Sequence, residues 1–105
     1  MVIERQVTFH VHSGKAQEFA SFFTSAYAPA MARQPGFCGA ELLRPDDPAD
    51  TLVMVLRFSG TEAALAWRES AAHKEMSPTL KSLYLTSEVR VYDVLSEQPG
   101  PDRLR

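Results

Sequence analysis

The chain predicts an α+β fold of the ferredoxin-like kind, β-α-β-β-α-β, with a four-stranded antiparallel sheet and two helices on one face. Three observations carry this. Residues 2–12 alternate apolar and polar side chains, the period of a strand, whereas residues 15–31 space their apolar side chains by three and four, the period of a helix face. The same strand-then-helix order returns after residue 51. Between the two halves, Pro45, Asp46, Asp47 and Pro48 form a cluster suited to a turn and not to a ladder.

In the first strand, residues 2–12, Val7, Phe9 and Val11 share one face and Gln6, Thr8, His10 and His12 the other. Ser13 and Gly14 break it. The first helix then presents Ala16, Phe19, Ala20, Phe23, Ala26, Tyr27, Ala30 and Met31 on one face. Pro29 is expected to loosen its last turn, and Pro35-Gly36 to end it. Residues 37–44 form the second strand, which a hairpin joins to the third at residues 51–58. That third strand scarcely alternates: Leu52, Met54, Leu56 and Phe58 lie on one face, yet Val53 and Val55 lie on the other, so both faces want cover.

A second helix follows. Ser59 with Glu62 three residues on has the spacing of a capping box, and the Ala- and Leu-rich run should continue to about Met76, where Ser77 before Pro78 is pushed to extended geometry. A short helical turn carries Leu80, Leu83 and Tyr84, and residues 86–95 form the last strand. Residues 1–96 are thus one domain, and residues 97–105, with two prolines and a glycine, form a tail expected either to be disordered or to embrace a partner.

At 105 residues the chain can bury a core without metals or disulfides. A net charge of −2 gives no electrostatic reason to expect nucleic acid or an anionic membrane. No apolar run approaches the ~18 residues of a spanning helix, so a cytoplasmic protein is expected. Cys38, the single cysteine, is expected to be a small buried apolar side chain in a reducing compartment. Two helices cover one face of a sheet, so the outward valines of the third strand predict a homodimer packed sheet to sheet.

The run PGFCGAELLRP at 35–45, the third strand, and EAALAWRESAAH at 62–73 resemble the antibiotic biosynthesis monooxygenase family of dimeric α+β barrels. Gly14-Lys15 at the start of the first helix fits as well. The resemblance spans residues 4–95. It implies a small oxygenase that works without metal or flavin on phenols, anthrones or hydroquinones, with its pocket between helices and sheet in each subunit. A haem-degrading subgroup shares the Trp and a His but uses an Asn on its first strand. This chain has no Asn at any position, and Val7 stands nearest that place.

Oxidation without a cofactor needs an electron-rich substrate, a dry pocket and a group that takes the proton. Trp67 is flanked one turn away by Ala63, Ala64, Ser70 and Ala71, which leaves room beside the indole. It is either a pocket wall that stacks on a planar substrate or a core indole under the sheet. His73 is the candidate for proton transfer, since imidazole titrates near neutrality; the alternative is a solvated residue near a helix end. Six residues of helix turn through roughly 600°, so Trp67 and His73 share a site only if the helix bends between them.

Phe9, Phe23, Tyr27 and Arg90 complete the expected site as substrate-binding residues. The aromatics serve equally as core. Arg57 and Arg90, within apolar strands, want a carboxylate from Glu41, Glu88 or Asp93, or else a bound anion. His10 and His12 point the same way, but no third ligand accompanies them and no metal site is assigned. The sequence therefore predicts a homodimeric oxygenase using O2 on a small aromatic molecule, with no cofactor. The alternatives are a non-catalytic ligand-binding dimer or auxiliary pathway protein and, behind it, a haem-binding protein.

Overall fold

Strands form where alternation or apolar runs predict them: β1 (Ile3–Val11), β2 (Phe37–Leu43), β3 (Thr51–Phe58) and β4 (Tyr84–Asp93). All pairings are antiparallel, in the order β2-β3-β1-β4, which is the ferredoxin-like arrangement. The computed structural model describes residues 1–104, with side chains through residue 102, so the end of the expected tail at Arg105 lies outside the described residues.

Parity assigns the sheet faces. Ile3, Val7, Phe9 and Val11 of β1 and Leu52, Met54, Leu56 and Phe58 of β3 are all buried against the helices. Glu4, Gln6, Thr8 and His10 face away, beside Arg57, Val55, Val53 and Thr51 in register. On that outer face Arg57 bonds Glu4 at 2.8 Å and Glu97 at 2.6 Å, not the expected Glu41, Glu88 or Asp93. The chain beyond β4 must cross the outer face to bring Glu97 there, which partly covers Val55.

The first helix is three segments: α1 (Ala16–Phe22), a π turn (Phe23–Tyr27) and α2 (Ala28–Ala32). The amide of Ala28 reaches back five residues to the Phe23 carbonyl, and Pro29 sits at the start of α2, immediately beyond this widened turn. Phe19, Phe23, Tyr27 and Met31 are all buried. In a regular helix residues four apart drift by about 40° per step, about 120° over this stripe. The wider π turn takes up part of that drift and keeps the stripe on the sheet.

The second helix departs from expectation in three places. Ser59 does not cap it: α3 (Thr61–Glu69) starts one residue later behind Gly60, with no side-chain cap, because the Ser59 amide is bound to the Gly36 carbonyl at 2.7 Å. The helix then breaks at Ser70, and α4 (Ala71–Lys81) leaves in a new direction. Finally, Ser77-Pro78 does not end it. Pro78 lies inside α4, where the lost hydrogen bond is outweighed by burial of Leu80 and Leu83 beyond it.

Cys38 is exposed, not buried. Phe37 pairs with Phe58 and Gly39 with Arg57, so Cys38 is the extra residue of a bulge in an edge strand and points out of the ladder.

Candidate active site

The break at Ser70 builds the site. Serine competes with a helix by bonding nearby backbone, and here its hydroxyl donates to the Trp67 carbonyl at 2.7 Å and accepts from the His73 amide at 3.2 Å. It closes α3 and caps α4 with one oxygen. The turn brings the His73 ring to 5.2 Å from Trp67 between centroids, at 86° between planes. Tyr27, delivered by the π turn, stands 5.4 Å from Trp67 and 6.2 Å from His73. The three rings thus meet from different helical segments.

They line a cavity of about 170 Å³ between α3, α4 and the inner face of the sheet. Val7, Phe9, Met54 and Leu56 supply its apolar floor. A dry engineered cavity of ~150 Å³ takes one benzene, so this hollow accepts an aromatic ring. A wider depression of about 810 Å³ beside Gly36 and Thr61 has Glu62 as its one titratable wall residue and offers little chemistry.

Arg5, Arg68, His73 and Lys81 line the cavity, and among the described residues no carboxylate does. Burial lowers the His73 pKa below its ordinary value, and Arg68, Arg5 and Lys81 lower it further. The shift favours the neutral imidazole, the form able to accept a proton. Burial raises the Tyr27 phenol, while a hydrogen bond with Trp67 and the charge of Arg5 oppose the rise. Arg5 is itself pulled down, first by burial and then by Arg68. Its Nε is buried with no hydrogen-bond partner.

Of the residues singled out in the sequence, Trp67, His73, Tyr27 and Phe9 come together at this cavity. Phe23 is buried in the adjoining core but is not among the cavity-lining residues. Arg90 lies on the other face of the sheet, paired in register with Gln6. His10 is there as well, 3.2 Å from Glu88. Val7, the residue expected nearest the first-strand Asn of the haem-degrading subgroup, adds only methyl groups to the wall. Sequence reasoning missed Arg5, Arg68, Ser77 and Lys81. Arg5 carried a readable signal, since it shares the inward parity of Val7 and Phe9.

The family described as antibiotic biosynthesis monooxygenase matches residues 2–78. No curated protein matches the chain. Among solved structures, SnoaB from Streptomyces nogalater, a cofactor-independent oxygenase, is 27% identical over 94% of this chain and 98% of its own, with a TM-score of 0.81. Rv0793 from Mycobacterium tuberculosis shares the fold at 16% identity and a TM-score of 0.78, over 94% of this chain and 100% of its own. A conserved protein from Methanosarcina mazei does so at 18% identity and 0.79, over 88% and 91%.

Proposed function

Because the chain belongs to the antibiotic biosynthesis monooxygenase family, we propose that it oxidises a small electron-rich aromatic compound, a phenol, hydroquinone or anthrone, with O2 and without a bound cofactor. The observation that carries this reading is the meeting of Trp67, Tyr27 and His73, its pKa lowered by burial, at one cavity with an apolar floor and a cationic rim. The likeness to a cofactor-independent oxygenase at 27% identity supports it.

The chemistry follows from the groups. His73 takes a proton from the bound ring, and the cationic side chains around the cavity favour the anion that results. An aromatic anion of this kind is electron-rich enough to reduce O2 itself. Carbon–oxygen bond formation gives a hydroperoxide, which loses water to leave a carbonyl. For a phenol, one O2 is consumed, one oxygen atom stays in the quinone and the other leaves as water. Trp67 and Phe9 hold the ring flat, and the indole N–H is engaged by the Tyr27 phenol.

Oxygen uptake by the purified protein with a panel of phenols, hydroquinones and anthrones tests this. Saturable uptake above buffer is expected; uptake no faster than buffer across the panel overturns it. We further propose that the chain works as a homodimer in the cytoplasm, joined through the outer sheet face. Among the described residues none of α1 to α4 packs on that face, and it exposes Leu43 and Tyr92.

A further inference from the structure

We propose that Arg5 is an anion-binding residue that fixes an anionic oxygen of the ligand where the cavity opens into a second hollow. The proposal rests on the cavity being the substrate site and names what that substrate must carry.

Arg5 points from the centre of the sheet toward the helices, from a position that hydrophobic parity reserves for an apolar side chain. It pairs in register with Leu56 on one side and Val91 on the other. A guanidinium keeps its charge in such a place and needs acceptors for its five N–H groups. Among the described residues no carboxylate lies within ion-pair distance of it, and its Nε is buried without a partner. The strongest charge it feels is that of Arg68, which repels it. Arg57 on the opposite face has two carboxylates for one guanidinium. The contrast within one sheet sets Arg5 apart from a structural ion pair.

Its location supplies the second observation. Beside the 170 Å³ cavity lies a groove of about 370 Å³ between α3 and the edge strand β4, walled by Ala64, Leu65 and Val91. Arg5 and Arg68 line both hollows, and among the described residues neither hollow has a carboxylate in its wall. A ligand whose ring rests beside Trp67 therefore meets two cations at the point where it leaves the cavity. A carboxylate or phenolate oxygen satisfies both, and the planar fork of Arg5 suits a two-point contact.

Anionic oxygen has two sources here, a carboxylate carried by the ligand or the ionised oxygen of the ring itself. Calorimetric titration of the wild-type protein with benzoate and with benzamide reads the first. Absorbance titration of bound 4-nitrophenol against pH, whose phenolate is coloured, reads the second. Benzoate is expected to bind at least about tenfold tighter than benzamide if the anion is a carboxylate. The bound nitrophenol pKa is expected to fall by about one unit or more if it is the ring oxygen. Either effect should vanish in Arg5→Gln and survive in part in Arg5→Lys, with circular dichroism and the unfolding midpoint confirming that both variants fold.

The wild-type comparison alone overturns the proposal if benzoate and benzamide bind equally and the nitrophenol pKa does not fall. An effect that persists undiminished in a folded Arg5→Gln protein also overturns it. Neither measurement consumes oxygen, so anion preference without turnover would sink the oxygenase reading alone, and turnover without anion preference would sink this one alone.

Discussion

The imidazole of His73 stands edge-on to the indole of Trp67, 5.2 Å between ring centres, although the two residues would lie roughly 120° apart around a straight helix. Ser70 makes the difference. Its extended backbone turns the chain, and its hydroxyl bonds on both sides of the turn.

Ser70→Ala should therefore lower both stability and turnover. Loss of an N-cap hydroxyl costs about 1 kcal/mol, readable as a lower urea midpoint. Turnover should fall further than stability predicts at temperatures where the variant is fully folded, because the cap also aims His73.

His73 itself should show an acid limb below pH 6.5, its ordinary pKa. The folded state holds the imidazole neutral, so the unfolded chain binds the extra proton and stability rises with pH through the window between the folded and unfolded values. The contribution is present above 6.5 and is lost as pH falls through the lowered folded pKa. Proton NMR titration of the His73 ring checks the direction. Arg68→Gln should move that pKa upward part of the way, because burial, the larger cause, remains. Replacing the ring by Gln should reduce kcat by about 10²-fold or more if it is the proton acceptor.

Trp67 is 1% exposed and is the only tryptophan in the chain. Trp67→Ala should cost about 3–5 kcal/mol in urea unfolding, since a large cavity opens in the core. Trp67→Phe should fold and accept bulkier rings, seen as a shift in the preferred substrate. In the wild type, quenching of tryptophan emission on adding a ligand reports occupancy of the cavity directly.

Gly36→Ala should be the most disruptive of the glycine-to-alanine changes in the chain. Gly36 has φ +82°, and a Cβ there would come within 2.6 Å of the Ala63 Cβ and 2.7 Å of the Ser59 oxygen. Left-handed strain alone costs about 1–2 kcal/mol, and the clash adds to it at the point where α2 ends and α3 begins. A loss of soluble, folded protein, or a fall in melting temperature well beyond that of Gly14→Ala, checks this. Gly14 shares the positive φ but has open space around its Cα.

Sedimentation equilibrium should report a dimer. A protein that runs as a single subunit at all accessible concentrations would refute the sheet-to-sheet association.

The strand pattern was legible because side-chain period is a direct consequence of the pleat: Val7, Phe9 and Val11 declared their face before any coordinates. What escaped were features in which one residue departs from its neighbours' rule. Ser70 looks helical in an Ala-rich run, yet its hydroxyl competes for the backbone. Cys38 reads as apolar and buried until a bulge, which depends on Gly39 and the partner strand, turns it outward. Pro78 reads as a stop signal, but burial of Leu83 downstream outweighs it. Trp67, His73, Tyr27 and Phe9 were visible as residue types. Their meeting was not, since it depends on a bend and a widened turn that periodicity averages away. Arg5 broke the inward pattern in plain view.

The π turn has a consequence for how this protein can be altered. It amounts to one surplus residue threaded into an otherwise ordinary helix, and excising Thr24 would return that segment to uniform pitch. Because the wide turn already absorbs that surplus residue, the segment beyond it would keep nearly its present direction relative to α1, with composition and helix content almost unchanged. The widened turn is thus a place where the first helix can change length by one residue without displacing α2, and such a change would adjust the Tyr27 ring locally on an otherwise unchanged scaffold.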